Sequence, residues 1–172
     1  MLIRQCTPAD LTRICDVIND AAVAYRGVIA ADRWKEPYMP MAELQREITA
    51  GVSFWGAYEG DALLAVMGLQ NVADVALIRH AYTLTTQQGR GIGKALLNHV
   101  VALAERPLLI GTWAAATWAI GFYQSQGFRV LGKQKDELLR RYWTIPERQI
   151  EESVVLANAR WAEGTPADLG SC

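Results

Sequence analysis

The sequence predicts an α+β domain: a mixed, mostly antiparallel central sheet flanked by helices. Two observations lead there. First, three strand-like runs, 52–58, 62–69 and 75–84, follow one another, and the first two are joined by the turn signal Glu59-Gly60-Asp61. Alternating apolar runs around such a turn read as a hairpin, so this part of the sheet is antiparallel. Second, strand-like runs at 108–112 and 128–131 alternate with helical ones, which adds a β-α-β element. The expected order is β-α-α-β-β-β-α-β-α-β-β.

Each element has its own justification. Leu2 to Cys6 is a short apolar-rich strand. Thr7-Pro8-Ala9-Asp10 starts a helix: Thr7 caps, Pro8 suits the first helical position, and Asp10 stands where a capping-box acid belongs. Leu11, Ile14, Cys15, Ile18, Ala22 and Tyr25 then form one apolar stripe, which Gly27 ends. Residues 28–40 mix aromatic and charged side chains and read as a loop, with a short helix from Met41 to Ile48 stopping at Gly51. The 75–84 run is apolar on both faces except at Arg79 and His80, the mark of a central strand. Ile92, Ala95, Leu96, His99, Val100 and Leu103 make a helix face that ends before Pro107. Ala114 to Gln126 is a further helix, stopped by Gly127. Ser153 to Ala157 is the last strand, and Glu137 to Tyr142 reads as a helical turn in the long connection before it.

With 172 residues the chain is expected to form one domain over 1–160, followed by a flexible tail over 161–172. Hydrophobic residues are 51% and charged residues 20%, a globular balance, and the formal net charge of −1 supplies no basic footprint for nucleic acid. No apolar run reaches the ~20 residues of a membrane span. The amino terminus lacks a signal peptide's apolar core, and three cysteines without metal-like spacing fit a reducing compartment, so a cytoplasmic protein without a metal site is expected.

The strongest chemical signal is Gln88-Gly89-Arg90-Gly91-Ile92-Gly93-Lys94, a glycine-rich turn between a strand and a helix. Amides at a helix start lack intrahelical partners, and the helix dipole adds positive charge, so the turn is a cradle for phosphate or pyrophosphate. It is not a P-loop, because Gln88 stands where that motif has glycine and Ala95 where it has Ser or Thr. Nor is it a dinucleotide-binding turn, since the third glycine would fall on Lys94 and no acid occurs at 109–112.

Gln88, Gly91 and Gly93 do fit Gln-x-x-Gly-x-Gly, and the segment 88–97 resembles the coenzyme-A-binding motif of the GNAT family of N-acetyltransferases. The segment Ala119 to Phe128, with Phe122-Tyr123 and Gly127-Phe128, is similar to that family's next helix. The resemblance covers roughly residues 1–157. It implies acetyl-CoA as co-substrate and acetyl transfer to a small-molecule or peptide amine by direct attack in a ternary complex. It further implies that Ala81, Thr83, Leu84 and Thr85 meet the pantetheine arm and that Gln88, Gly89, Arg90, Gly91, Ile92, Gly93 and Lys94 hold the phosphates. Tyr123 matches the family's general acid, since a phenol of pKa ~10 can return a proton to a leaving thiolate. Where the family often has Asn, this chain has Ala116; that polar contact is absent or comes from elsewhere, Thr112 or Thr117.

The base that takes the amine proton is open. His80 is the first candidate for its intrinsic pKa and its place beside the cleft, with Glu36 and Asp74 as others. Simple alternation puts Arg79, Ala81 and Thr83 on one strand face and His80 on the other, unless a bulge changes the parity. Tyr25, Trp34, Glu36 and Tyr38 are the candidate acceptor-site residues, with Glu36 or Asp32 attracting a cation. Trp113, Trp118, Tyr142 and Trp143 belong either to the same aromatic wall or to a homodimer interface, and His99 reads as packing. A non-catalytic acyl-CoA sensor is the alternative function. A GNAT-type toxin acting on charged tRNA is disfavoured by the net charge.

Overall fold

The computed structural model describes residues 1–162; the expected flexible tail lies outside them from residue 163 onward. Within them seven strands form one sheet in the order β1-β2-β3-β4-β5-β7-β6. They are β1 (Leu2–Gln5), β2 (Ser53–Glu59), β3 (Ala62–Val72), β4 (Val75–Thr83), β5 (Leu108–Trp113), β6 (Arg129–Leu131) and β7 (Ser153–Ala157). Every neighbouring pair is antiparallel except β4 with β5.

Among the described residues six helices surround the sheet: α1 (Leu11–Ala22), α2 (Met41–Thr49), α3 (Ile92–Leu103), α4 (Thr117–Ser125), α5 (Lys135–Tyr142) and α6 (Glu147–Glu151). Successive strand residues alternate between two cores, as a pleated sheet requires. Met67, Ile78, Ile110 and Leu156 pack with α3 and α4 residues such as Leu96, Val100 and Tyr123. Their neighbours Val66, Leu77, Leu109 and Val155 pack on the other face, Val66 with α1 and α2 and the rest with α5 and α6. Burying each such aliphatic side chain contributes about 1.5–3 kcal/mol. The sheet is thus a two-faced layer with α3 and α4 on one side and α1, α2, α5 and α6 on the other. No helix among the described residues is long and apolar enough to cross a membrane.

The element order follows the sequence reading, with three differences. The connection before β7 holds two helices; α6 starts after Pro146 and buries only Ile150. The first turn after Thr7 is a 3₁₀ turn, Pro8–Asp10, and the Asp10 carboxylate accepts the Thr7 amide at 2.8 Å and the Arg4 guanidinium at 3.0 Å. Arg4, helped by that amide, holds the Asp10 carboxyl down at about 2 against the cost of burial. Trp161, at the start of the expected tail, is 5% exposed and packs with Leu131 and Val155.

Candidate functional site

The site begins with the end of a strand pairing. β4 and β5 run parallel only over Ala76↔Leu108, Leu77↔Leu109 and Ile78↔Ile110. Beyond Ile110, β5 stays paired with β7 as far as Trp113↔Ser153, while β4 stays paired with β3 as far as Thr83↔Ala65. The two strands therefore part, and among the described residues the facing edge of β4 over 79–83 has no strand partner.

A bulge accompanies the parting. Gly68 pairs with Arg79 but Val66 pairs with Tyr82, so β4 carries one extra residue opposite Met67. His80 takes it up at a φ of 53°. Glycine is needed across from it: a Cβ on Gly68 would lie 2.8 Å from the Arg79 carbonyl oxygen and 2.9 Å from Val52 Cγ1. The bulge sends Arg79 and His80 to one partner. Glu47 of α2 lies 2.6 Å from Arg79 Nη2, and its Oε2 lies 2.7 Å from His80 Nε2. The His80 contact is close but off the line of a good hydrogen bond. Burial pushes the Glu47 carboxyl up, yet His80 and Arg79 outweigh it and hold the group below its usual range. The His80 ring also stacks on Phe54 at 6.1 Å between centroids.

At the end of β4 comes the glycine-rich turn. Gly91 adopts a left-handed φ of 76° and stands just before α3, a conformation that favours glycine. The first helical hydrogen bond runs from the Ala95 amide to the Gly91 carbonyl at 3.0 Å, so the amides of Ile92, Gly93 and Lys94 have no partner within the helix. They open onto a cleft of about 660 Å³ lined by this turn, by Met67, Ala81 and Thr83 of the strands, and by Trp118, Phe122 and Tyr123 of α4. That volume is within the range of small-molecule sites.

A second, smaller cavity of about 150 Å³ is lined by Tyr38, Arg79, His80, Thr112, Trp113, Trp143, Gln149 and Ser153, among others. Tyr25, Ala81, Tyr82, Ala119 and Tyr123 line both cavities. Tyr123 is 6% exposed, with Phe122 and Phe128 at 5.2 and 5.9 Å. Burial, with a contribution from Tyr25, pushes its phenol well above the ordinary value, so at neutral pH it is a proton donor. Tyr82 is raised in the same way.

The family comparison bears on this central region. Residues 50–130, from the strand before β3 to the strand after α4, match the family model described as an acetyltransferase (GNAT) domain. The chain carries a GNAT acetyltransferase domain. It is thereby an acyltransferase of the acetyl-CoA-dependent kind. Solved structures share the fold. PaiA N-acetyltransferase from Thermoplasma acidophilum, in complex with coenzyme A, is 18% identical with a TM-score of 0.69, covering 91% of this chain and 97% of that one. A GNAT-family acetyltransferase from Staphylococcus aureus Mu50 is 15% identical with a TM-score of 0.67, covering 91% and 97%. The ribosomal-protein-S18-alanine N-acetyltransferase from Escherichia coli is 18% identical with a TM-score of 0.64, covering 95% and 96%. No curated protein matches the chain.

The GNAT domain brings most of the expected residues together. Ala81, Thr83, Gln88, Gly89, Gly91, Ile92, Gly93 and Lys94 line the large cleft. Leu84, Thr85 and Arg90 do not. Leu84 packs on the α1 side of the sheet, and the Thr85 amide donates to Asp20 at 2.8 Å. Arg90 reaches Glu59 at 2.6 Å and also bonds Gln87. Of the acceptor-site candidates, Tyr25 and Tyr38 line the small cavity. Trp34 stands behind Tyr38, stacked at 5.7 Å, and Glu36 receives the Trp34 indole at 3.3 Å and faces Arg26 at 3.7 Å. Asp32 pairs with Arg148 at 2.9 Å, and Asp74 accepts the Tyr142 hydroxyl at 2.6 Å. Trp113 and Trp143 join the small cavity and Trp118 the large one. His99 packs on Trp55 at 5.1 Å. Ala116 is fully buried just before α4; Thr112 lines the small cavity and Thr117 neither.

Two contributors went unseen in the sequence. Tyr82 sits within a run that reads as core strand. Glu47 stands on the polar face of a short helix and gives no local sign of its contact with His80, 33 residues away.

Proposed function

We propose that the protein is an N-acetyltransferase that joins the acetyl group of acetyl-CoA to a primary amine by direct attack in a ternary complex. One observation carries this reading: two cavities of different size meet where β4 leaves β5, and Tyr123 lines both. A donor and an acceptor held in them share one reacting point, and such placement alone lowers a barrier substantially.

Acetyl-CoA supplies the acetyl thioester. The partner-free amides of Ile92, Gly93 and Lys94 and the Lys94 charge hold phosphate at the positive end of α3. The unpaired edge of β4 over 79–83 offers peptide groups to the pantetheine arm, and an amide there stabilises developing negative charge on the acyl oxygen. Tyr123 gives a proton to the departing sulfur. His80, whose residue lines the small cavity and whose Nε2 faces Glu47, takes the amine proton through water. Bonds and protons balance: C–N forms as C–S breaks, one proton leaves nitrogen and one arrives at sulfur.

Calorimetric titration with acetyl-CoA, with CoA and ATP as controls, tests the reading. Micromolar binding of acetyl-CoA with much weaker ATP supports it; no binding of acetyl-CoA ends it. Binding without CoA release across a broad amine panel would instead make the chain an acyl-CoA sensor.

A further inference from the structure

Resting on the acetyl-transfer reading, we propose that the acceptor is a small primary monoamine carrying one compact, uncharged group about the size of a single six-membered ring.

Size is the first argument. The small cavity measures about 150 Å³. Apolar protein cavities of ~150 Å³ take up a benzene ring. α5, α6 and the segment joining them line it with Leu139, Trp143, Ile145 and Gln149. A chain of several residues does not fit in that volume.

The wall is the second argument. Tyr25, Tyr38, Tyr82, Trp113 and Trp143 contribute five aromatic side chains. The Trp113 indole donates to the Tyr38 hydroxyl at 3.1 Å, and the Tyr25 and Tyr38 rings lie 5.5 Å apart, so these walls are braced. Trp143 packs close against Gly111, where a Cβ would meet its ring at 3.1 Å. Rings favour stacking partners and apolar bodies.

Charge is the third argument. Among the described residues no carboxylate lines the cavity, and the one permanent charge they place there, Arg79, is bound by Glu47 at 2.6 Å. The acids that the sequence offered for cation capture are paired elsewhere, Asp32 with Arg148 and Glu36 with Arg26. A second ammonium group would enter beside Arg79 with no counter-ion among the described residues. Burial also raises the Tyr38 phenol to about 12, in keeping with an interior that disfavours charge.

The test is initial-rate CoA release with benzylamine and phenethylamine, against putrescine, spermidine and a peptide with a free N-terminal amine, in enzyme first shown to bind acetyl-CoA by calorimetry. The expected result is a kcat/KM for the ring-bearing monoamines at least ten-fold above the others. A diamine, polyamine or peptide preferred over both monoamines would overturn the inference, as would acetyl-CoA binding with neither monoamine turned over. Both results leave the acetyl-CoA reading standing, whereas loss of acetyl-CoA binding itself strikes that reading. Trp143→Leu provides a second measure: it should shift the kcat/KM ratio about ten-fold toward a two-ring amine, while acetyl-CoA affinity stays the same. An unchanged ratio would remove Trp143 from specificity and count against the ring-sized cavity.

Discussion

Nε2 of His80 lies 2.7 Å from Oε2 of Glu47, and this contact joins α2 to the bulge of β4. The same carboxylate holds Arg79 at 2.6 Å, so one acid fixes both residues at the point where β4 leaves β5. Such a pair does two things at once. It orients an imidazole beside the small cavity, and it ties the widened part of the strand to a helix.

The first prediction concerns that pair. His80→Gln should lower kcat/KM by about 10²-fold, the lower end for loss of a positioned base. The variant's rate should keep climbing with pH, because only the intrinsic ionisation of the amine remains. Glu47→Gln should produce a smaller loss in the same direction, and the double variant should lose less than the two combined, as coupled residues do. A His80→Gln enzyme with the parent pH profile would remove His80 from proton transfer.

Tyr123→Phe removes one hydroxyl from a buried ring and leaves its packing against Phe122 and Phe128 intact. Turnover is expected to fall by about 10²-fold or more, with the dissociation constant of acetyl-CoA within about two-fold of the parent. Rapid-mix CoA release and calorimetry give the two quantities separately. Unchanged turnover at saturating substrates would show that sulfur receives its proton from another source.

Alkaline pH should destabilise the fold through its tyrosines. Burial raises Tyr25, Tyr38, Tyr82 and Tyr123, with Tyr38 pushed to about 12 even though Trp113 donates to it. Unfolded tyrosines ionise near ~10. Above that pH the unfolded chain binds fewer protons than the folded one, so stability falls as pH rises. The contribution is fully present below ~10 and is lost as pH passes through the folded values. A Tm measured at pH 11 should be several degrees below that at pH 8, and the tyrosinate absorbance should rise together with unfolding. Full tyrosinate absorbance in a folded protein at pH 11 would contradict the burial argument.

At the acid end the sign reverses. Arg4 and the Thr7 amide hold Asp10 at about 2, below the ~3.9 of an unfolded aspartate. Its contribution is present above ~3.9 and is lost as pH falls toward 2. Asp10→Asn should cost about 1–2 kcal/mol at neutral pH and nearly nothing at pH 2, as read by urea unfolding. A penalty independent of pH would mean that packing, not charge, makes Asp10 matter.

The sequence made the elements legible because each has a local signature. Gly51, Gly60 and Gly127 punctuate the chain, and Ile14, Ile18 or Leu96, Val100 recur at helical spacing. The glycine turn and Tyr123 were legible for the same reason, as short contiguous patterns. What escaped is set by distant partners. Arg90 reads as a phosphate ligand but finds Glu59, 31 residues away. The face of His80 stayed open between simple alternation and a bulge, because alternation cannot register where one inserted residue falls. Glu47 is an ordinary polar position on α2 until the bulge reaches it. The two helices before β7 are brief and partly polar, and α6 has a single buried apolar residue, too little for a periodic signal.

The bulge itself is testable through Gly68, which lines neither of the two cavities. Its missing side chain lets β3 pass the widened strand, where a Cβ would stand 2.8 Å from a backbone oxygen and 2.9 Å from Val52. The oxygen belongs to Arg79, the residue just before the bulge, so it yields only if β4 moves. Gly68→Ala should therefore cost about 1–3 kcal/mol, the range for overpacking, or roughly 2–10 °C in Tm for a domain of this size. The strain falls on the segment that carries both His80 and the free edge of β4, so activity at a temperature where the variant is fully folded should also drop. Gly132→Ala, at a position with open space around it, is the matched control and should leave Tm and activity unchanged. A Gly68→Ala protein as stable and active as the parent would mean that the strand can relax without its bulge, and that the parting of β4 from β5 does not depend on it.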